Sequence, residues 1–205
     1  MLDLYTWSTP NGRKVSITLE EMELEYRVHS IDIRKGDQHT QQFLNMNLNG
    51  KIPVLVDDDR VLMESGAILL YLADKTGQLA GTDPWVTLQW LMFQMGGVGP
   101  QLGQAHHFHH YNPGRSEYAE ARYLTEAKRL YGVLDARLKE GEYLAGNYSI
   151  ADIANWAWIS RFAWHEIDWA DYPDLRRWYG DIAARDAVKR GFDVPEEGAK
   201  VPLPN

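Results

Sequence analysis

The first half of the N-terminal eighty residues alternates between short apolar runs and amphipathic stretches. The run LDLYTW at residues 2–7 predicts a strand, and apolar positions at helical spacing predict a helix from Asn11 to about Leu24. Alternating side chains in YRVHSIDI predict a second strand, and TQQFLNMN predicts one or two helical turns. This part of the chain is therefore predicted to be β-α-β-α.

A hairpin and a helix follow this pattern. The stretch IPVLVDDDRVLME predicts two strands joined by an acidic turn. The stretch SGAILLYLADKTG predicts a helix that begins at Ser65 and is closed by Gly77. The complete order is β-α-β-α-β-β-α, with a crossover early and a hairpin late.

After about residue 85 the strand pattern stops. The remaining pattern predicts helices over 84–111 (interrupted near Pro100), 115–139, 149 to about 164, and 172–185. A cluster of Gly, Thr, Asp and Pro predicts a linker. We therefore expect an α/β domain over residues 1–78, a linker over 79–86 and an all-helical domain over 87–205.

Composition indicates a folded, acidic protein. Hydrophobic residues make up 44% and aromatic residues 12% of the 205 residues, which is enough to bury a core. The formal net charge of −8 argues against broad binding to nucleic acid or anionic membranes. The first residues, MLDLYTW, lack a signal-peptide pattern, and no apolar run approaches the ~18 residues of a membrane span. We therefore expect a cytoplasmic protein.

The sequence contains no cysteine. This excludes a disulfide framework, cysteine-ligated metals and a thiol nucleophile within the chain. Any thiol chemistry must use a thiol that a ligand brings.

The stretch GKIPVLVDDDRVLMESGAILLYL, residues 50–72, contains features of a ligand site. Pro53 withholds a ladder donor, and a cis Ile52-Pro53 bond would present the Ile52 backbone to a ligand. Ser65 is a predicted N-cap whose helix offers N–H groups to a carboxylate, and Glu64 beside it can pair with an ammonium group. These two ligand groups belong to an α-amino acid. A plain strand end followed by a capped helix explains the same residues equally well.

Together with the element order, these residues resemble a glutathione transferase. The resemblance implies a thioredoxin-like, glutathione-binding first domain with a cis-proline before its third strand, followed by a helical-bundle domain. It also implies that Glu64 and Ser65 hold the γ-glutamyl end of glutathione. The backbone of Ile52, before Pro53, would pair with the cysteinyl part.

A second landmark lies in the helical region. In GNYSIADIANWAW, Ser149 and Asp152 are spaced as N-cap and N3 of a capping box. The box resembles the one that glutathione transferases place at their sixth helix. We therefore expect Asp152 to be a folding residue and not a catalytic one.

The stretch STPNG at residues 8–12 resembles the bacterial nu-class branch of this family and its disulfide-bond oxidoreductase members. Other members place a Tyr, Ser or Cys near the end of the first strand, but here Tyr5 lies inside the strand. Residues 96–113 also resemble the fourth helix of the nu-class branch. The resemblance implies the following site residues: Thr9 and Asn11 nearest the sulfur as catalytic residues, and Asn11, Gln38, Lys51, Ile52, Pro53, Glu64 and Ser65 as glutathione-binding residues.

The physical character of this stretch is compatible with a thiol site. Thr9 and Pro10 suit the N-cap and N1 positions of a helix. A sulfur above that terminus would meet the Thr9 hydroxyl, the Asn11 amide and backbone N–H groups, which favour thiolate over thiol. Lowering a thiol pKa by one to two units needs about 1.4–2.7 kcal/mol, which two or three donors supply. Thr9 can also be only a helix cap, and both roles can hold at once.

Histidines at positions 106, 107, 109 and 110 raise the question of a metal. His106 and His110 would share a helix face, but no carboxylate lies close in sequence and WHEIDW at 164–169 is not HExxH. We therefore expect no metal, and three roles stay open: lining the cleft above the sulfur, packing at a subunit contact, and surface placement. The stretch NWAWISRFAWHEIDW is expected to pack in the core, with Arg161 on a solvated face.

The resemblance implies an enzyme that reduces small-molecule disulfides with bound glutathione, present as the thiol or as its disulfide. One alternative is conjugation of glutathione to small electrophiles, or peroxide reduction. Another is a non-catalytic glutathione binder, which the missing Tyr, Ser or Cys motivates. A homodimer is implied by the resemblance alone, and neither nucleic acid nor membrane is expected as a partner.

Overall fold

The N-terminal region contains one mixed sheet, in the element order that the sequence predicts. The computed structural model describes residues 1–204. β1 pairs parallel with β2 and antiparallel with β3, and β3 pairs antiparallel with β4, so that the strand order is β2-β1-β3-β4. The strands are β1 (Leu2–Thr6), β2 (Tyr26–Ser30), β3 (Val54–Asp57) and β4 (Arg60–Met63).

Three helices complete this α/β arrangement, which confirms the thioredoxin-like fold class. They are α1 (Pro10–Glu21), α2 (Gln41–Leu44) and α3 (Ser65–Thr76). In β1, Leu2 and Leu4 are buried while Asp3 and Tyr5 are partly exposed, as strand alternation requires. α3 ends at Gly77, whose φ of 69° is left-handed, so the predicted glycine closure is confirmed.

The chain folds into two compact units. The first comprises Met1–Gln78 with Ala184–Val201, and the second comprises Leu79–Ala183 with residues 202–204. Helix α9 (Asp186–Phe192) belongs to the first unit, since Ser16 Oγ donates to the Gly191 carbonyl at 2.6 Å. These units group the chain differently from the sequence-based boundaries, which place residues 87–205 in one domain. The division into residues 1–78, 79–86 and 87–205 remains a prediction.

The second unit is helical, as predicted. Its helices are α4 (Pro84–Phe93), α5 (Gly99–Ala105), α6 (Glu117–Lys139), α7 (Ile150–Ile159) and α8 (Pro173–Ala184), of which α8 ends at the unit boundary. No helix within residues 1–204 is both long enough and apolar enough to cross a bilayer.

The predicted interruption near Pro100 is present as a change of helix type, because α4 ends at Phe93 and α5 begins at Gly99. Two π-helical turns, Gln94–Val98 and His106–Tyr111, flank α5, and helical structure continues from Pro84 to Tyr111. A proline lacks an N–H and crowds the preceding turn, and the wider π turn just before Pro100 accommodates it without a break.

The predicted capping box at the start of α7 is confirmed. Ser149 Oγ accepts from the Ala151 N–H at 3.2 Å, and Asp152 Oδ2 accepts from the Ser149 N–H at 3.0 Å. Asp152 Oδ1 also accepts from the Leu144 N–H and from Trp178 Nε1, both at 2.9 Å. Burial raises the pKa of Asp152 to about 6, against the effect of these donors. The carboxylate thus ties together three segments of the second unit.

Candidate functional site

Four segments that carry candidate residues meet the sheet at the same edge, either just after a strand ends or just before one begins. Tyr5 near the end of β1 pairs with Val54 at the start of β3, and Val54 pairs with Met63 at the end of β4. Because β2 runs parallel to β1, its last residue lies at this edge as well. The edge therefore brings together the segments that contain Thr9 and Asn11, Gln38, Ile52 and Pro53, and Glu64 and Ser65.

The turn from β1 into α1 has the predicted cap. Thr9 is the N-cap of α1, Pro10 occupies its first turn, and Thr9 Oγ1 accepts from the Gly12 N–H at 3.1 Å. Asn11 is half-buried one position before Gly12. Pro10 has no N–H and the Gly12 N–H is engaged by Thr9 Oγ1, so Thr9 and Asn11 are the candidate residues at this terminus that carry side-chain donors. A hydroxyl that accepts one hydrogen bond still has its own proton to donate.

Gly12 is a site residue that the sequence interpretation missed. A Cβ at this position would lie 2.3 Å from the Trp7 carbonyl oxygen and 2.4 Å from Thr6 Oγ1. Only glycine therefore allows α1 to start so close to the end of β1. The dipeptide Asn11-Gly12 was available in the sequence as a signal of such a tight approach.

The segment before β3 contains the predicted cis Ile52-Pro53 bond. The β1–β3 ladder ends at the Tyr5–Val54 pair, so the Ile52 backbone lies outside the ladder. Lys51 is exposed, and its carbonyl accepts from Asn47 Nδ2 at 2.7 Å. Asn47 is 3% exposed and shapes this loop, a role that sequence interpretation did not assign.

Gln38 lies in the 3₁₀ turn Asp37–His39 that follows β2. Its Nε2 donates to the Ile33 carbonyl at 3.4 Å and lies 3.2 Å from His39 Nε2. Its Oε1 is buried without a hydrogen-bond partner among the described residues. A ligand N–H can supply that partner.

The start of α3 differs from the prediction. Glu64 and not Ser65 is the N-cap, and Ser65 is the first helical residue, so the predicted cap at Ser65 is wrong. Glu64 has φ 68° and ψ 111°, a left-handed backbone that is uncommon for a non-glycine residue. Such outliers concentrate at ligand sites. The turn leaves the Glu64 side chain exposed and Ser65 buried at the first turn of a 12-residue helix.

Lys14 is a second residue that the sequence interpretation missed. It is 1% exposed, and its Nζ donates to Ser65 Oγ at 3.2 Å. Burial lowers the pKa of Lys14 to about 7, and the nearby charge of Glu64 opposes this shift. A lysine between Arg13 and Val15 in an amphipathic helix gives no local signal of burial.

The histidine cluster contributes a buried network to the second unit. His106 Nε2 lies 2.7 Å from His165 Nε2, and Tyr131 Oη lies 2.9 Å from His165 Nδ1. Burial lowers the pKa of His106 to about 4 and that of His165 well below its ordinary value, so both rings are neutral near pH 7. This buried role was not among the three that the sequence left open, because His165 is remote from the cluster in sequence.

The other cluster residues lie nearer the surface of the second unit. His110 stacks on Trp164 with ring centres 3.9 Å apart, and His109 Nε2 lies 3.2 Å from Glu166 Oε1. No group of three or more His, Cys, Asp or Glu within residues 1–204 is arranged to hold a metal ion.

The tryptophan-rich stretch packs in the core only in part, since Trp158 and Trp164 are partly exposed. Trp156 and Trp169 are buried. Arg161 is partly buried, and its guanidinium lies 4.6 Å from the centre of the Trp164 ring, so the predicted solvated position is wrong. The aromatic face attracts the cation and draws the arginine stem inward.

Family models match both parts of the chain. The model described as glutathione S-transferase, N-terminal domain, matches residues 1–74, and the model described as glutathione S-transferase, C-terminal domain, matches residues 98–186. The first match contains every candidate site residue.

Among curated proteins, the chain is similar to two from Escherichia coli strain K12. It is 47% identical to disulfide-bond oxidoreductase YfcG, over 92% of this chain and 93% of that protein. It is 41% identical to disulfide-bond oxidoreductase YghU, over 93% of this chain and 73% of that protein.

Solved structures show the same likeness. A glutathione transferase from Burkholderia graminis, with two glutathione molecules bound per subunit, is 43% identical with a TM-score of 0.91, over 96% of this chain and 89% of that one. A glutathione transferase from Pseudomonas putida, with one glutathione disulfide bound per subunit, is 42% identical with a TM-score of 0.88, over 95% and 91%.

Proposed function

This chain belongs to the glutathione S-transferase family, and we propose that it is a disulfide-bond oxidoreductase that uses glutathione. The observation that carries the proposal is the Thr9 hydroxyl at the N-terminus of α1 in a chain without cysteine. In such a chain both reacting thiols must come from glutathione. The protein then needs to position them and to favour the thiolate.

The proposed reaction is thiol–disulfide exchange. A glutathione thiolate forms a bond to one sulfur of the substrate disulfide, whose S–S bond breaks and releases the other sulfur as a thiolate. A second glutathione thiolate attacks the mixed disulfide, forms glutathione disulfide and releases the second substrate thiol. Two glutathione molecules lose two electrons and the substrate gains them, so no further reductant is required.

The site residues receive the following proposed roles. The Thr9 hydroxyl and Asn11 donate to the glutathione sulfur and stabilise its thiolate. The Ile52 backbone beside Pro53 pairs with the cysteinyl part, and Gln38 and Lys51 contact the remainder of the tripeptide. Glu64 pairs with the γ-glutamyl ammonium group, and Ser65 with the α-carboxylate at the N-terminus of α3.

The similar proteins support this reaction by what their names state. YfcG and YghU are both named disulfide-bond oxidoreductases. The two similar structures hold two glutathione molecules and one glutathione disulfide, which are the reducing substrates and the oxidised product of the proposed exchange.

Three finer assignments complete the proposal. The stretch STPNG favours the nu-class branch. The cytoplasm, where glutathione keeps thiols reduced, suits a reaction that consumes reduced glutathione. A homodimer is proposed from the family resemblance, and light scattering coupled to size-exclusion chromatography tests it.

Conjugation of glutathione to small electrophiles is the second candidate. The chain is 36% identical to a Schizosaccharomyces pombe protein named glutathione S-transferase 2, over 90% of this chain and 91% of that one. Both reactions, and peroxide reduction as well, start from the same bound thiolate. Which of these reactions the protein catalyses therefore depends on which second substrate fits beside the bound thiolate.

Two assays on the purified protein test the proposal. Turnover of 2-hydroxyethyl disulfide with glutathione is expected to exceed turnover of chlorodinitrobenzene with glutathione. The reverse order would favour conjugation. Tight glutathione binding without turnover in either assay would refute the enzyme and leave a glutathione-binding protein.

A further inference from the structure

A buried lysine supports the hydroxyl at the start of α3. Lys14 lies on α1, is 1% exposed, and donates from Nζ to Ser65 Oγ at 3.2 Å. Ser65 is itself 4% exposed. Because the Ser65 hydroxyl accepts from an ammonium group, its own proton points away from Lys14. A donor polarised by a neighbouring cation makes a stronger hydrogen bond to an anion.

We propose that Lys14 is a positioning residue that supplies the positive charge for the α-carboxylate of glutathione through the Ser65 hydroxyl. This rests on the proposed function, which places that carboxylate at Ser65. Lys14 touches the hydroxyl and not the ligand, so the carboxylate receives its hydrogen bond from Ser65 and its charge compensation from Lys14.

The charges around Lys14 favour such a role. Glu64 at the start of α3 is the charged group that acts on its ammonium, and Glu64 is exposed. The α9 residues that accept from α1, Gly191 and Phe192, do so through backbone carbonyls. Two ion pairs join the C-terminal end of α1 to α9: Glu21 with Arg185, the N-cap of α9, and Glu20 with Arg190. A bound carboxylate would therefore bring a negative charge close to a cation that burial disfavours.

Ligand binding should consequently be linked to a proton. Burial lowers the pKa of Lys14 to about 7, so part of the protein carries a neutral Lys14 near pH 7. A carboxylate bound at Ser65 favours the ammonium form and raises this pKa. The bound state then holds more protons than the free state, and affinity falls as the pH rises above 7.

Calorimetric titration with S-methylglutathione measures this linkage. The methylated sulfur removes the thiol proton from the balance, while the α-carboxylate and ammonium groups are retained. Titrations in buffers of different ionisation enthalpy give the number of protons taken up. We expect uptake of about half a proton at pH 7 and more at pH 8, with affinity about fivefold weaker at pH 8 than at pH 7.

Two variants assign the proton. Lys14→Met should remove most of the uptake at pH 7 and flatten the pH dependence between pH 6 and 7, where the ligand ammonium stays protonated. Lys189→Met removes an exposed lysine that pairs with Asp186 on α9, and it should behave as the wild type. If Lys14→Met does not fold, the wild-type protein alone still gives the proton count, and Ser65→Ala should reduce it.

The outcomes separate this inference from the proposed function. If the protein reduces the disulfide with glutathione but binds S-methylglutathione without taking up a proton, the role of Lys14 is overturned and the proposed function is left intact. Uptake at pH 7 that is as large in Lys14→Met as in the wild type would also overturn it. Proton uptake in a protein without disulfide turnover would support Lys14 and refute the function.

Discussion

Thr9 Oγ1 accepts the Gly12 N–H at 3.1 Å, so the residue that caps α1 keeps its hydroxyl proton at the helix terminus. This relationship makes Thr9 a helix cap, and the proposed function adds a second role in which the same hydroxyl donates to the glutathione sulfur. A substitution can separate the two roles, because each has its own measurable consequence.

Thr9→Val keeps the shape of the side chain and removes the hydroxyl. We expect kcat for 2-hydroxyethyl disulfide to fall roughly 10- to 100-fold, the effect of losing one donor to a charged sulfur, while the Kd of S-methylglutathione changes less. Thr9→Ser should retain most activity. Ser116→Ala removes the matching cap of α6, where Ser116 Oγ accepts from the Ala119 N–H, and it should cost about 1 kcal/mol of stability without loss of kcat. Equal kcat in Thr9→Val and wild type would show that Thr9 is only a cap.

Glu64→Gln is expected to weaken glutathione binding by about 1–3 kcal/mol, because it removes the charge opposite the ligand ammonium. The measurement is a double-mutant-type cycle, in which the Kd values of glutathione and of an analogue without the α-amino group are compared between the wild type and Glu64→Gln. The wild-type protein should bind this analogue more weakly than glutathione, and Glu64→Gln should bind the two alike. Full discrimination retained by the variant would place the ammonium elsewhere.

Gly12→Ala should destabilise the first unit by about 1–3 kcal/mol and lower activity, since its Cβ would lie 2.3 Å from the Trp7 carbonyl oxygen. Gly180→Ala is the matched control. Gly180 lies within α8 with nothing within 4 Å of a Cβ built there, so alanine should stabilise by about 0.5–1 kcal/mol. Denaturant unfolding measures both. A neutral Gly12→Ala would mean that the β1–α1 turn can shift without cost.

Asp152→Ala should lower the free energy of unfolding by about 3–5 kcal/mol, because four buried donors lose their acceptor: the N–H groups of Leu144 and Ser149, the Ser149 hydroxyl and the Trp178 indole. Where the variant remains folded, we expect the Kd of glutathione to change less than twofold. Denaturant unfolding and calorimetric binding on the same preparation check this. A folded, stable Asp152→Ala with lost turnover would assign Asp152 to the chemistry.

Local patterns predicted much of this molecule. The element order, the cap at Thr9 and the capping box at Ser149 each depend on a few neighbouring residues, and the family resemblance implies the cis bond before β3. The start of α3 was misassigned because cap preferences favour Ser65, whereas the left-handed backbone of Glu64 has no signature in side-chain type.

Long-range contacts could not be predicted in the same way. Lys14 meets Ser65 across 51 positions, and His106 meets His165 across 59. Burial of a lysine or a histidine depends on which elements pack against it. Hydrophobic periodicity assigns such polar residues to the surface by default.

The most direct test of the central claim is the thiol pKa of glutathione bound to this protein. Thiolate absorbance near 240 nm, followed against pH for the wild-type complex, should give a value one to two units below that of free glutathione. Asn11→Ala should return the pKa part of the way, and Thr9→Val with Asn11→Ala should return it fully. A bound thiol that titrates with the pKa of free glutathione would contradict the claim that the N-terminus of α1 stabilises the thiolate of bound glutathione.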